Sequence, residues 1–303
     1  MDSTKVTFKK NAKSFAFAAV FFDRATYAAS HAFYAWCRAC DDAIDNAANK
    51  DEALRNLNTV KDLTKKAVQG RLNFVTVDDS THVVAGIAVA PFYALQALVK
   101  QYELEPKYLF ELLQGMYWDL IKTSYTDFIE LDQYCYYVAS TVGLTMCQIL
   151  GLPRTQFEST AYRYAEAMGQ AMQLTNIARD VLEDYKMGRV YLPLKLLKQY
   201  QLEPAHLFAD NKKLLAVVTD VVNRADELYR LGKLGIVYLP NRAGFAVLLA
   251  ANLYRAIGRK ILHGKNRSQQ PYFYLRHRAV VPLLQKCGIL MLTVIEFIKL
   301  KMK

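Results

Sequence analysis

Asp41 and Asp45 lie one helical turn apart, on a line that begins at Tyr34 and Arg38, so these four fall at i, i+4, i+7 and i+11. Gln173, Asn176, Asp180 and Asp184 repeat the pattern at i, i+3, i+7 and i+11. Around both lines the sequence is apolar or small: Phe33, Trp36, Cys40 and Ile44 in the first, Leu174, Ile177, Ala178 and Val181 in the second. Carboxylates in such surroundings must protonate, pair with a cation or bind a metal, because an isolated buried charge is too costly to keep. Hard cations take oxygen ligands, and Mg²⁺ characteristically binds through one or two carboxylates together with substrate phosphates. Two such helices set face to face would clamp a diphosphate between metal ions. The plainer alternative is that the acids are solvated or simply paired with Arg38 and Arg179.

Other chemistries fit less well. A di-iron carboxylate bundle needs Glu-x-x-His on two helices, whereas Glu203 to His206 contains Pro204 and reads as a helix start. His31, His82, His206, His263 and His277 show no ligand spacing, so a zinc site is not expected. Cys37 and Cys40 form a CxxC without a second pair. The odd total of five cysteines suits free thiols in a reducing compartment.

The elements that must position these lines are helices. Hydrophobic residues make up 53% of the 303 residues and charged residues 22%, which excludes a disordered chain. Single turn signals such as Pro106, Gly151 and Pro240 separate long segments with apolar residues at helical spacing, for example Leu109, Leu112, Leu113 and Met116. No linker or repeat interrupts them, so residues 1–303 read as one all-α domain. Phe15 to Phe22 reads as the first buried helix, and only Asn73 to Val77 has strand character. Three apolar stretches, Val83 to Val99, Tyr134 to Leu152 and Ala279 to Ile298, contain enough polar residues to read as core or amphipathic helices rather than membrane spans.

Charge is concentrated at one end. Of the formal +11, residues 251–303 carry eleven Lys and Arg against the single acid Glu296. No nucleic-acid reading motif accompanies them and apolar runs interleave them, so phosphate capture and an anionic membrane surface fit better than nucleic acid. Val280 to Lys303 reads as an interfacial amphipathic helix.

Longer motifs surround both acidic lines. The stretch Tyr34-Ala-Trp-Cys-Arg-Ala-Cys-Asp41-Asp42-Ala-Ile-Asp45 resembles the first Asp-rich motif of the squalene and phytoene synthase family. Gln173 to Asp184, followed by Gly188-Arg189-Val-Tyr191-Leu-Pro193, resembles the second. Gly115-Met-Tyr-Trp-Asp119-Leu120 and Tyr134 to Gly143 are similar to two segments between them, and Lys13-Ser14-Phe15 and Tyr254-Arg255-Ala-Ile257 extend the likeness toward both ends. The wording is most similar to that of bacterial phytoene synthases. The chain departs from many members in having Ser140 where glycine is usual and Asn11 where a polar or His side chain precedes the lysine.

The resemblance implies a class I isoprenoid synthase fold, with helices around a central apolar cavity, and head-to-head joining of two geranylgeranyl diphosphates into phytoene through a cyclopropylcarbinyl diphosphate. A squalene or dehydrosqualene synthase working on two farnesyl diphosphates is the alternative within the family. A non-catalytic protein of the membrane surface is the alternative outside it. The resemblance further implies that Asp41, Asp45, Asn176, Asp180 and Asp184 hold Mg²⁺, or Mn²⁺ in its place. NADPH is not expected. Arg38, Lys13, Ser14, Phe15, Gln173, Arg179 and Arg189 would hold substrate, and Tyr34, Tyr134, Tyr191 and Tyr254 would line the path of the carbocation. Which of Arg267, Arg276 and Arg278 meets the second diphosphate stays open. The expected setting is cytoplasmic and peripheral to a membrane, with prenyl diphosphates as the partners, no nucleic acid and no obligate protein partner.

Overall fold

The computed structural model describes residues 17–72, 83–152, 160–263 and 272–302. Lys13, Ser14, Phe15, Arg267 and the segment Asn73 to Val77 lie outside them. Of the expected first helix, residues 17–19 are helical and a turn follows.

Helix α1 (Arg24–Asp45) starts where Asp23 accepts the Thr26 amide at 2.9 Å, a side-chain N-cap. Its buried stripe of Phe33, Trp36, Cys40 and Ile44 is rotated away from the line of Tyr34, Arg38 and Asp41. Burying the one fixes the direction of the other. Trp36 donates to Thr64 at 3.2 Å and so pins α1 to α2 (Lys50–Val68). Acids in the first turn of α2 and lysines in its last complement the helix dipole.

The apolar stretch Val83 to Val99 is not one helix. It opens with a two-stranded hairpin, β1 (Val83–Val84) and β2 (Ile87–Ala88), closed by Ala85 and Gly86 at φ 50° and 81°. Two positive φ angles in succession are what a tight hairpin turn requires. Helix α3 (Ala90–Tyr102) follows, with proline in its first turn. Helices α4 (Pro106–Ile121) and α5 (Phe128–Cys135) come next. A π-helical turn (Tyr136–Ser140) then runs into α6 (Thr141–Ile149).

The second acidic line spans a break. Helix α7 (Thr160–Arg179) ends one residue before Asp180, whose φ of −104° and ψ of 17° depart from helical values, and α8 (Val181–Lys186) resumes the turn. Hydrogen bonds from Asp180 N to Asn176 O and from Asp184 N to Asp180 O, both 2.9 Å, carry the register across it. Asp180 and Asp184 therefore remain one turn apart although they do not share a continuous helix.

Helix α9 (Leu194–Gln199) and a 3₁₀ turn at Pro204–His206 lead into α10 (Asn211–Lys233), a second 3₁₀ segment (Leu234–Tyr238) and α11 (Asn241–His263). Thr175 and Tyr229 share a buried hydrogen bond of 2.9 Å that ties α7 to α10. The short α12 (Phe273–Arg276) and then α13 (Leu283–Lys301) complete the described chain. One large hydrophobic cluster is built on α7, α10 and α11, and another on α1 to α4.

Candidate active site

A cavity of about 330 Å³ lies between these clusters, and both acidic lines reach it. Tyr34 and Cys37 of α1 and Gln173 and Asn176 of α7 are part of its wall. Most of the remaining wall is apolar, with Phe33, Val142, Met146, Leu150 and Met168 among its residues. On α7 the wall residues Ala161, Ala165, Met168, Met172 and Asn176 recur every three or four positions, so the cavity follows that helix for about 22 Å. A long apolar slot with polar groups at one end is the shape for a molecule with a charged head and a hydrocarbon tail.

One to two turns beyond these wall residues, Asp41, Asp180 and Asp184 are half-buried, not buried as the sequence pattern suggests, and Asp45 is exposed because α1 stops there. Burial, then the charge of Asp45, holds Asp41 above the usual carboxylate range, against Arg38 and Arg189. Burial and the neighbouring Asp180 push Asp184 up to about 7, with Arg189 opposing. Crowded acids that resist ionising together are what a cation would relieve.

Arginines hold several of them in the meantime. Arg38 pairs with Asp41 at 2.6 Å and with Asp42, and Arg179 Nε donates to Asp180 at 2.8 Å. The ion pairs of the plainer reading therefore exist, but they do not satisfy the whole site. Asn176 Nδ2 donates to Gln173 at 3.2 Å, while its side-chain oxygen Oδ1 is buried without a partner. An orphaned acceptor between two acidic turns fits a cation. Among the described residues no three acidic, His or Cys side chains converge on one point. That split suits Mg²⁺, which completes its shell with substrate phosphate and water rather than with an all-protein cage.

Arg189 follows α8, its amide bonded to Asp184 O at 2.9 Å. Its charge is felt by Asp41 and Asp184, and its own pKa is held up by Tyr191, Asp119 and Asp45 against burial, so it stands among acids of both lines. Arg278 reaches the same place, its Nε 3.1 Å from Asp180 Oδ1, whereas Arg276 turns to Phe208 O and Asn211. Of the two described arginines left open by the sequence, Arg278 is the one at the site, and Arg267 lies outside the described residues. Tyr254 on α11 lies within electrostatic reach of Arg179, Asp180 and Tyr34.

Asp119 lies within the Gly115 to Leu120 motif, where the sequence alone assigns it no role. Tyr191 donates to Asp119 at 2.7 Å and Tyr134 at 3.1 Å, and burial pushes Asp119 up to about 6. The rings of Tyr125, Tyr134 and Tyr191 stack around it with centroids 5.1 to 5.7 Å apart. Backbone bonds from Val190 N to Thr123 O and from Leu194 N to Tyr125 O bring Tyr191 to this cluster. Cys37 lines the cavity as a neutral thiol and neither it nor Cys40 supplies a thiolate, since burial raises both far above the range in which one forms.

Residues 8–285 match the model of the squalene/phytoene synthase family. The chain belongs to that family. It is 35% identical over 259 residues to a 15-cis-phytoene synthase of Enterobacter agglomerans, covering 84% of each chain. It is 33% identical over 271 residues to a phytoene synthase of Pseudescherichia vulneris, covering 86% of this chain and 82% of the relative. Among solved structures it resembles a dehydrosqualene synthase, with a TM-score of 0.80 and 24% identity over 98% of this chain and 95% of the other. It also resembles the squalene synthase HpnC of Alicyclobacillus acidocaldarius, with a TM-score of 0.72 and 22% identity over 85% and 91%. The fold is thus the all-α class I isoprenoid synthase fold.

Proposed function

We propose that the protein joins two molecules of geranylgeranyl diphosphate head to head into phytoene, with release of diphosphate. The observation that carries this is the apolar slot along α7, whose polar wall residues Tyr34, Gln173 and Asn176, the last with an orphaned side-chain oxygen, run on along both helices into the two acidic turns and their arginines. The bacterial relatives named for phytoene synthesis supply the chain length.

Asp41, Asp45, Asn176, Asp180 and Asp184 are the oxygen donors for Mg²⁺, or Mn²⁺, which when bound draws charge from a departing diphosphate as a Lewis acid. Arg38, Arg189 and Arg278 supply guanidinium forks for phosphate oxygens. The present pairing of Arg38 and Arg278 with carboxylates keeps both partners satisfied until substrate arrives. When the first allylic C–O bond breaks, the double bond of the second molecule captures the cation, and the apolar wall keeps water from competing for it. Tyr134 and Tyr191 present π-faces and hydroxyls to the charge that follows. Burial holds the Tyr134 hydroxyl protonated, and Asp119 fixes where it points. The last proton leaves without a reductant, so NADPH has no role in this reading.

The lipophilic product and the basic end support a cytoplasmic setting peripheral to a membrane. The experiment is incubation of the purified protein with labelled C15 and C20 prenyl diphosphates and Mg²⁺, with and without NADPH. A C40 product independent of reductant is expected, and a C30 product alone overturns the reading in favour of squalene or dehydrosqualene synthesis.

A further inference from the structure

Helix α13 is apolar on its outer side as well as on parts of its inner one. Its outward positions are Leu284 (88% exposed), Met291, Leu292, Ile295, Ile298 and Met302, each more than half exposed. Its inward positions include the polar ones. Thr293 is fully buried and accepts from Asn252 at 2.9 Å. Glu296 accepts from Lys233 at 2.6 Å and from Asn252 at 2.8 Å, and Lys301 donates to Leu239 O at 2.8 Å. These bonds fix how the helix is rolled. So rolled, the helix keeps Ile289, Leu290 and Phe297 against the core and still leaves a further apolar face to solvent, which has a second surface to meet.

The patch continues beyond the helix. Leu231, Leu234, Val237 and Tyr238 are 42 to 49% exposed, and Lys301 joins α13 to them by also donating to Val237 O at 3.2 Å. The inner side of that same segment, Gly232, Gly235, Ile236 and Leu239, is cavity wall. Apolar surface and apolar cavity are thus separated by one layer of chain.

Charge selects the occupant. Exposed Arg230, Arg242 and Lys299 stand next to or near members of the patch in the sequence. Glu296, the single acid after residue 250, is turned inward onto Lys233 and Asn252. Two copies pressed face to face would set like charges against each other, whereas an anionic bilayer satisfies both the apolar face and its basic rim. Among the described residues no helix is long and apolar enough to cross a membrane, so α13 would lie along the surface.

We propose that the outer face of α13 and the 231–238 segment seat the protein on an anionic lipid bilayer, with that wall of the cavity turned to the lipid. Granted the reaction proposed above, a hydrocarbon product then meets lipid across one wall instead of crossing water.

The test is co-sedimentation of the full chain with vesicles of phosphatidylcholine, with and without phosphatidylglycerol, comparing the wild type with the Met291→Glu/Ile295→Glu/Ile298→Glu variant. Turnover in detergent and a thermal melt are run alongside. The expected result is salt-sensitive binding to the phosphatidylglycerol vesicles that the variant weakens by about tenfold or more, with melt and detergent turnover unchanged. Leu284→Glu, at the most exposed of these positions, repeats the test should the triple variant fail to fold. Equal vesicle binding by wild type and variant overturns the proposal. So does a wild-type dimer that ignores vesicles and that the variant dissolves, which would assign the face to a second copy. Loss of turnover in detergent by the wild type, with vesicle binding intact, overturns the proposed reaction and leaves this surface standing.

Discussion

Tyr191 donates to Asp119 at 2.7 Å across 72 residues of sequence, and Tyr134 donates to the other oxygen of the same carboxylate at 3.1 Å. One acid thereby sets the direction of two rings at the site. Burial is the largest influence on Asp119 and pushes it up to about 6, opposed by the two hydroxyls and by Arg189. Asp119→Asn offers one acceptor oxygen where two are used, so one ring loses its anchor. The expected loss in kcat is about a hundredfold, the scale on which misplacement of a catalytic group acts, with KM changed far less. Tyr191→Phe should show the same split more weakly. Steady-state kinetics check both, and a wild-type kcat for Asp119→Asn would remove Asp119 from the positioning role.

Metal dependence is read most directly through stability. A cation that binds the folded chain raises its melting temperature as the cation concentration rises. In the presence of a diphosphate the wild type should gain stability with Mg²⁺ and lose both that gain and its turnover with a chelator. Asp41→Ala and Asp180→Ala should each abolish turnover and remove the Mg²⁺-dependent gain while leaving the far-ultraviolet helical signal in place. Full activity in both variants would refute the assignment of the acidic turns to metal.

The acidic lines were legible because helical periodicity alone places i, i+4, i+7 and i+11 on one stripe, and Phe33, Trp36, Cys40 and Ile44 do bury the neighbouring stripe. The break at Asp180 was not, because the hydrogen bonds on either side of it keep the helical register and the spacing with it. Asp119 could be quoted in a motif but not given a task, since its partners Tyr134 and Tyr191 come together through loop pairing between 123–126 and 190–195. The apolar run from Ala279 reads as a core or interfacial amphipathic helix by composition. That its helix begins only at Leu283, and which of its apolar sides it turns outward, follows from partners on α10 and α11, Lys233 and Asn252, that no local pattern reveals.

Those partners also set an acid limit. Burial alone would raise Glu296, but hydrogen bonds from Lys233 and Asn252 outweigh it and hold the carboxyl below its ordinary value. A lowered folded pKa gives stability that is present at neutral pH and is lost as the pH falls through the folded value. Glu296 is more than a third exposed, so solvent screens the pair and the contribution is about 1 kcal/mol. Glu296→Gln should lower the melting temperature at pH 7 and flatten its fall in acid. Parallel curves for wild type and variant would show that the pair carries no such linkage.

Gly169 tests how tightly the cavity wall is drawn. A Cβ there would lie 2.6 Å from Ser140 Cα and 2.7 Å from Ser140 N, backbone atoms of the π-helical turn that follows α5. Ser140 is itself fully buried and donates to Glu166 O at 2.7 Å, so the turn is held against α7 and has nowhere to retreat. Gly169→Ala should therefore destabilise by about 2–3 kcal/mol through overpacking, despite the better helix propensity of alanine. Ser140→Gly should not rescue it, because the collision is with backbone and glycine keeps the same backbone. Since Ala139 and Gly169 both line the cavity, the surviving fraction of Gly169→Ala should also turn over more slowly. Thermal melts and single-turnover rates on the two single variants and the double variant decide the matter: an unchanged melt for Gly169→Ala, or full rescue by Ser140→Gly, would mean that α7 and the turn are packed more loosely than these distances require.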